Sequence, residues 1–300
     1  MSFSSETKAE LCDSRLEKRS LALAECYGVL LYCNTFRTSE IRIITASAPF
    51  AERLPRLFKK AFSFGFDQLP PEDALGKRSF CILDPEKITR ILESFGGDAG
   101  GPISHHINLG ILEDPGCSEA FVKGAFLAGG SVTDPEKRYH LELATAHHSV
   151  SREVYALLLD MGFSPKETQR AGNALLYFKQ ADAIADFFTA IGAPATAMNV
   201  MTAKVEKEMR NTVTRQINCD SANTDKTVAA AQEQLAAIRR IAKEYGSLDV
   251  LPEPLKDAAL LRITNPEASL ADLALLSYPP VSKSCLSHRF RKIMGFAPKE

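Results

Sequence analysis

The sequence predicts an α+β body in which one αββαββα unit is used twice, followed by an all-α C-terminal domain. Three observations lead there. A segment recurs without gaps 96 residues later, apolar spacing switches between period two and helical period inside each copy, and the last part of the chain breaks into short helical stretches bounded by prolines.

The run FCILDPEKITRILESFG, Phe80 to Gly96, aligns on LYFKQADAIADFFTAIG, Leu176 to Gly192, at a constant offset of 96 residues. Gly28 in CYGVLLYCN and Gly124 in VKGAFLAGG keep the same offset, each inside an apolar stretch. Between these anchors Ile41-Arg-Ile43 matches Leu141-Glu-Leu143 at an offset of 100, because the turn GSVTDPEKRYH is longer than NTFRTSE. Each copy therefore reads as helix, strand pair, helix, strand pair, helix. Period-two alternation at Ile41/Ile43 and Leu141/Leu143 marks strands. Leu54, Leu57, Phe58 and their counterparts Val154, Leu157, Leu158 recur at helical spacing. Gly96 and Gly192 stand just past the last helix of each copy, the usual place for a left-handed C-cap. The first helices of the two copies are apolar enough to pack on each other at a pseudo-two-fold axis, where Gly28 and Gly124 would let the backbones approach closely. An ordinary packed core helix fits the same residues, and either way the helix is buried.

Composition narrows the function classes. No window approaches the roughly 18 consecutive apolar residues of a membrane span, and the first residues lack a signal-peptide centre. A cytoplasmic protein without membrane contact is expected. Seven cysteines without any C-x-x-C pair suit reduced thiols, and the adjacent histidine pairs lack the spacing of a helical metal site. The net charge of −1 is uneven: from Met201 to Glu300, 15 Lys/Arg meet 12 Asp/Glu, giving +3, which leaves −4 for the first two hundred residues. Between Asp272 and Glu300 there is no acid, while Lys283, Arg289, Arg291, Lys292 and Lys299 all lie there.

The segment FVKGAFLAGGSVTDPEKRYHLE resembles the WhiA family of bacterial regulators, and its first half resembles the LAGLIDADG motif of homing endonucleases. In that motif paired helices bring one acid each to the floor of a DNA-binding saddle, where divalent metal is held. Placing the third motif position on Gly124 puts the catalytic eighth at Gly129, and on Gly28 at Cys33. Neither offers the hard anionic oxygen that magnesium needs. The resemblance therefore implies no enzyme, no metal and no cofactor, with Cys33 and Gly129 as vestigial positions. The alternative, a metal-dependent DNA endonuclease, would have to use Asp134, Glu136 and Glu142, which follow the motif where the family places no catalytic group.

After Gly192 the chain turns polar. The stretch from Lys204 to Asn223 also resembles the WhiA pattern and suggests an interdomain helix and turn, either simply solvated or touching DNA. A further helix is expected from Asn223 as N-cap to Tyr245, ended by Gly246. Short helices then follow over Leu255 to Ile263, stopped by Asn265-Pro266, over Leu270 to Leu276 behind Ser269, and from Ser282 to about Met294. The expected domains are 1–195 (repeats about 18–97 and 117–193), a linker helix over 196–222, and a helix-turn-helix domain over 223–296.

On the last helix Leu286, Phe290 and Ile293 fall within about 60° of one another at 100° per residue. Ser284, Ser287, His288 and Arg291 lie opposite, flanked by Lys283 and Lys292. Short polar and guanidinium groups reach base edges while lysines meet phosphate, so a recognition helix is expected, with Ser282, Lys283, Ser284, Ser287, His288, Arg289, Arg291 and Lys292 as candidate DNA-binding residues. The tail EASLADLALLSYPPVSKSCLSHRFRKI resembles the promoter-reading helix-turn-helix of sigma factors and the WhiA pattern. The resemblance implies a double-stranded DNA partner and a regulator of sporulation, cell division or chromosome segregation. It also implies RNA polymerase or a WhiB-type regulator as protein partners, and the −4 body makes a protein-interaction scaffold the third reading.

Overall fold

The computed structural model describes residues 2–71, 76–97 and 105–298 and divides the chain into two units, 1–207 and 208–300. Lys299, counted among the cations above, lies outside the described residues.

The first unit begins with α1 (Phe3–Asp13), a helix the mixed-charge start of the chain does not announce. The first copy follows as α2 (Arg19–Tyr32), β1 (Thr35–Arg37), β2 (Glu40–Thr45), α3 (Ala48–Phe62), β3 (Arg78–Ile82) and α4 (Pro85–Ser94). After a 3-10 turn at Leu109–Leu112, the second copy runs α5 (Cys117–Gly129), β4 (Gly130–Val132), β5 (Leu141–Thr145), α6 (His148–Asp160), β6 (Lys166–Arg170), β7 (Asn173–Phe178) and α7 (Ala181–Ala190).

Both offsets read from the sequence hold in the ladders. Ile41 pairs with Ile82 and Ile43 with Phe80, just as Leu141 pairs with Phe178 and Leu143 with Leu176. These inward residues bury one sheet face of each copy in a common core, together with α2 and α5. Gly96 and Gly192 sit at φ +76° and +91°, closing their helices in the left-handed region.

Among the described residues the copies differ in one strand. The second sheet has four strands in the order β4-β5-β7-β6, whereas the first has β1-β2-β3 among the described residues. In place of the expected fourth strand the first copy has a single bridge, Gln68 to Cys81, at the position equivalent to Lys166–Tyr177. Pro70 and Pro71 follow after Leu69 and cannot donate to a ladder. The Asp67 carboxylate instead accepts from the backbone of Leu83 and Asp84 at the entry to α4.

The linker is also corrected. One unbroken helix, α8, spans Pro194–Tyr245, so the turn expected before Asn223 does not form. Between Pro194 and Gly246 the sequence contains no proline or glycine to interrupt it. Its first turn is capped from afar: the Glu10 carboxylate accepts from Ala195 N at 2.7 Å and Thr196 N at 2.9 Å.

The second unit adds α9 (Glu253–Thr264), α10 (Leu270–Leu276) and α11 (Lys283–Phe296). They enclose a separate core of Ile238, Ile241, Leu251, Ala258, Ala259, Leu273, Ala274, Leu286, Phe290 and Ile293.

Candidate nucleic-acid interface

The α2–α5 crossing is built around two glycines. A Cβ at Gly28 would stand 2.0 Å from the Phe121 carbonyl oxygen, and one at Gly124 the same 2.0 Å from the Glu25 carbonyl oxygen. No side chain fits at either point without parting the helices.

Beneath this crossing lies a buried ionic cluster that sequence reading missed. Arg53 on α3 forks onto Glu25, with Nε to Oε1 at 2.6 Å and one terminal nitrogen to Oε2 at 2.8 Å. Its other terminal nitrogen donates to the carbonyls of Cys12 and Ser14. Lys123 Nζ approaches the same carboxylate at 3.5 Å and donates to Ser14 Oγ. Burial pulls the Lys123 ammonium below the usual lysine range despite the neighbouring carboxylate.

At the far ends of these helices, the floor positions are filled. Cys33 Sγ lies 3.1 Å from the Leu30 carbonyl and 3.2 Å from that of Thr35, and burial pushes its thiol up to about 12. A Cβ on Gly129 would meet the Ala144 carbonyl oxygen at 2.5 Å and the Tyr32 ring at 2.7 Å. The space an acid would need at Gly129 is thus occupied by Tyr32 and β5. Asp134 and Glu136 stand on the turn after β4, where Asp134 accepts from the Glu136 backbone N–H. Glu142 on β5 is engaged by Arg170 at 2.9 Å and His140 at 3.2 Å. No group of three His, Cys, Asp or Glu side chains among the described residues is arranged to hold a metal ion. No helix among them is long and apolar enough to cross a membrane.

In the second unit α10 opens with a reciprocal capping box, Ser269 with Asp272, and α11 opens on Ser282, whose Oγ accepts from Cys285 N at 3.2 Å. Leu286, Phe290 and Ile293 are fully buried. Lys283, Ser284, His288, Arg291 and Lys292 are exposed, while Ser287 and Arg289 are half-buried. At 100° per residue Ser284 and His288 face away from the core, Arg291 and Lys292 stand about 50° to either side of that direction, and Lys283 and Ser287 lie on one flank. Arg289 is turned to the other flank, into a groove it lines with Asp257, Leu261 and Tyr278. Ser282 is occupied as the cap and lies 3.2 Å from Ser284 Oγ. The outward face therefore carries cations and hydroxyls without a carboxylate, at the start of a helix whose free N–H groups favour anions.

A buried arginine supports this helix from behind. The Arg262 guanidinium on α9 donates to Gln234 Oε1 of α8 at 3.0 Å and to the Ala268 carbonyl before α10 at 2.5 Å, and lies 5.4 Å from the Phe290 ring centre. Burial lowers its pKa from the ordinary guanidinium value.

Comparison with known proteins agrees with this division. A family model described as the WhiA C-terminal HTH domain matches residues 213–297, and one described as the WhiA LAGLIDADG-like domain matches residues 118–210. A curated protein of Ruminiclostridium cellulolyticum, named probable cell division protein WhiA, is 34% identical and covers 100% of this chain and 98% of its own length. The protein of the same name from Clostridium tetani is 32% identical, over 99% of this chain and 97% of its own. A crystal structure of full-length WhiA from Thermatoga maritima matches over 100% of both chains with a TM-score of 0.62 and 23% identity, a likeness of fold. The body is LAGLIDADG-like and the C-terminal helices form a helix-turn-helix domain.

Proposed function

This chain belongs to the WhiA family, and from that premise we propose that it is a sequence-specific DNA-binding transcriptional regulator whose endonuclease-like body is catalytically inactive. It acts at the nucleoid in sporulation, cell division or chromosome segregation, in keeping with relatives named as probable cell division proteins. The observation that carries the reading is the outward face of α11, where Ser284, His288, Arg291 and Lys292 stand exposed beside Lys283 on its flank, with no acid on the helix. Surface helices usually mix signs, and a face that meets phosphate should not. In this reading Ser284, Ser287, His288 and Arg291 address base edges while Lys283 and Lys292 hold phosphate, Arg289 reaches phosphate from the groove flank, and Ser282 sets the start of the helix.

Arg291→Ala should weaken binding to a duplex selected by the wild-type protein by about 1–3 kcal/mol and relax preference at one base position. Lys283→Ala should weaken all sequences alike. Fluorescence anisotropy checks both, and unchanged affinity of the double variant would remove α11 from the interface.

The body serves as a protein-interaction surface, with RNA polymerase or a WhiB-type regulator as its partner. Its −4 charge supports this, since such a surface gains little from duplex phosphate. The filled position at Gly129 and the thiol at Cys33 support the absence of nuclease chemistry. Nicking of plasmid DNA by the purified protein with magnesium or manganese, retained through controls for contaminating nuclease, would overturn it.

A further inference from the structure

The middle of α8 breaks a rule that the rest of the helix has no reason to break. From Glu208 to Lys226 every residue is exposed, so core packing does not choose its side chains. A helix in that position is best built from Ala, Leu, Glu, Lys and Gln. The stretch Met209 to Cys219 instead reads MRNTVTRQINC, with Asn, Thr, Val and Ile at most positions and no acid among its two arginines. Residues that weaken a helix locally without a packing return mark side chains kept for something they touch.

Asn211, Arg215 and Asn218 fall within about 60° of one another at 100° per residue. Ala222 continues the same face one turn on with a side chain small enough to let a large surface approach. The side chains of the three polar residues meet no partner among the described residues. Met209, Val213 and Ile217 are turned to the other side of the helix.

We propose that Asn211, Arg215 and Asn218 form a second DNA contact, to the phosphate backbone of a duplex whose bases are read by α11. A guanidinium fork flanked by two amides, all donors toward a surface rich in anionic oxygens and without a carboxylate between them, is the chemistry that grips phosphodiesters. The spacing is suitable. Arg215 lies roughly 35 Å along α8 from Ile238, the first α8 residue in the hydrophobic cluster that holds α11, and one turn of duplex is about 34 Å. The inference rests on the DNA-binding reading of α11 and extends the footprint by one turn.

The test uses the full chain and a random-sequence duplex of about 60 base pairs, several helical turns long, titrated by anisotropy across a range of salt. The triple variant Asn211→Ala/Arg215→Ala/Asn218→Ala should bind roughly fivefold more weakly, with a salt slope shallower by about one. Because alanine is the strongest helix former, far-UV helicity should stay equal or rise, so lost binding cannot come from a melted helix. Arg215→Lys, which keeps the charge and loses the fork, should fall between. Val213→Ala/Ile217→Ala on the other side should bind like the wild type, and an equal loss there would sink the assignment to this face. If Lys283→Ala/Arg291→Ala lowers affinity while the triple variant leaves affinity and slope unchanged, the second contact is absent and the α11 reading stands. If the reverse holds, α8 is the contact and the α11 reading fails.

Discussion

Arg53 in the body and Arg262 in the C-terminal unit are both 1% exposed, yet they are held in opposite ways. Arg53 shares the Glu25 carboxylate with Lys123, so two cations converge on one anion at the helix crossing. Among the described residues Arg262 meets only neutral acceptors and an aromatic ring. The body is therefore locked by an ionic cluster in which every member depends on Glu25, whereas the reading head is tied by dipoles that lose less when one partner goes. The largest effect should come from Glu25→Ala. It leaves two buried cations without a counter-charge, for which a cost of about 3–5 kcal/mol is expected. Glu25→Gln keeps the shape and should lose most of the same stability, which separates charge from packing. Amide hydrogen exchange under denaturant reads the two units apart, and protection in 1–207 should fall while that in 208–300 holds.

Arg262→Met sharpens the contrast from the other side. Its stem volume is largely retained, but the Gln234 amide oxygen and the Ala268 carbonyl lose their donor, a loss of about 1–3 kcal/mol. The change should also loosen the seat of Phe290, so DNA affinity should fall along with stability, although Arg262 itself touches no DNA in this reading. A loss in the C-terminal unit as large as that of Glu25→Ala in the body would show that the neutral ties are as strong as the ionic ones.

Much of the fold was legible because it is periodic. The two offsets, 96 and 100, foretold which residues of the two sheets are equivalent, and the apolar stripe of Leu286, Phe290 and Ile293 foretold the inward face of α11. What could not be read depends on partners distant in sequence. Arg53 and Glu25 are 28 residues apart, and Lys123 adds its charge from the other copy. Nor does α1 announce itself, because it has few inward residues and docks partly through Glu10 onto the start of α8, 185 residues away. The turn expected before Asn223 came with the WhiA resemblance of Lys204 to Asn223; Asn, Asp and Ser in that stretch favour turns, but without glycine or proline they did not outweigh the cooperative extension of a helix already anchored at both ends. That the first copy shows no fourth strand among the described residues had its signal in Pro70-Pro71, which the pattern match passed over.

The smallest expected effect concerns a pair that lacks a counter-charge among the described residues. His105 and His147 stack with ring centres 3.8 Å apart and planes 12° from parallel, while the neighbouring His106 has Glu153 at 2.5 Å. Burial, and then the His105 ring, hold the His147 pKa below its ordinary 6.5. The folded state thus prefers neutral His147. Its contribution is fully present above pH 6.5 and is lost as pH falls from there through the depressed folded value, since the unfolded chain takes up the proton first. His147→Phe keeps an aromatic face against His105 and removes the proton. The urea midpoint of the wild type should therefore drop more steeply than that of the variant between pH 6.5 and the folded value, and parallel curves would show that the stack carries no charge penalty.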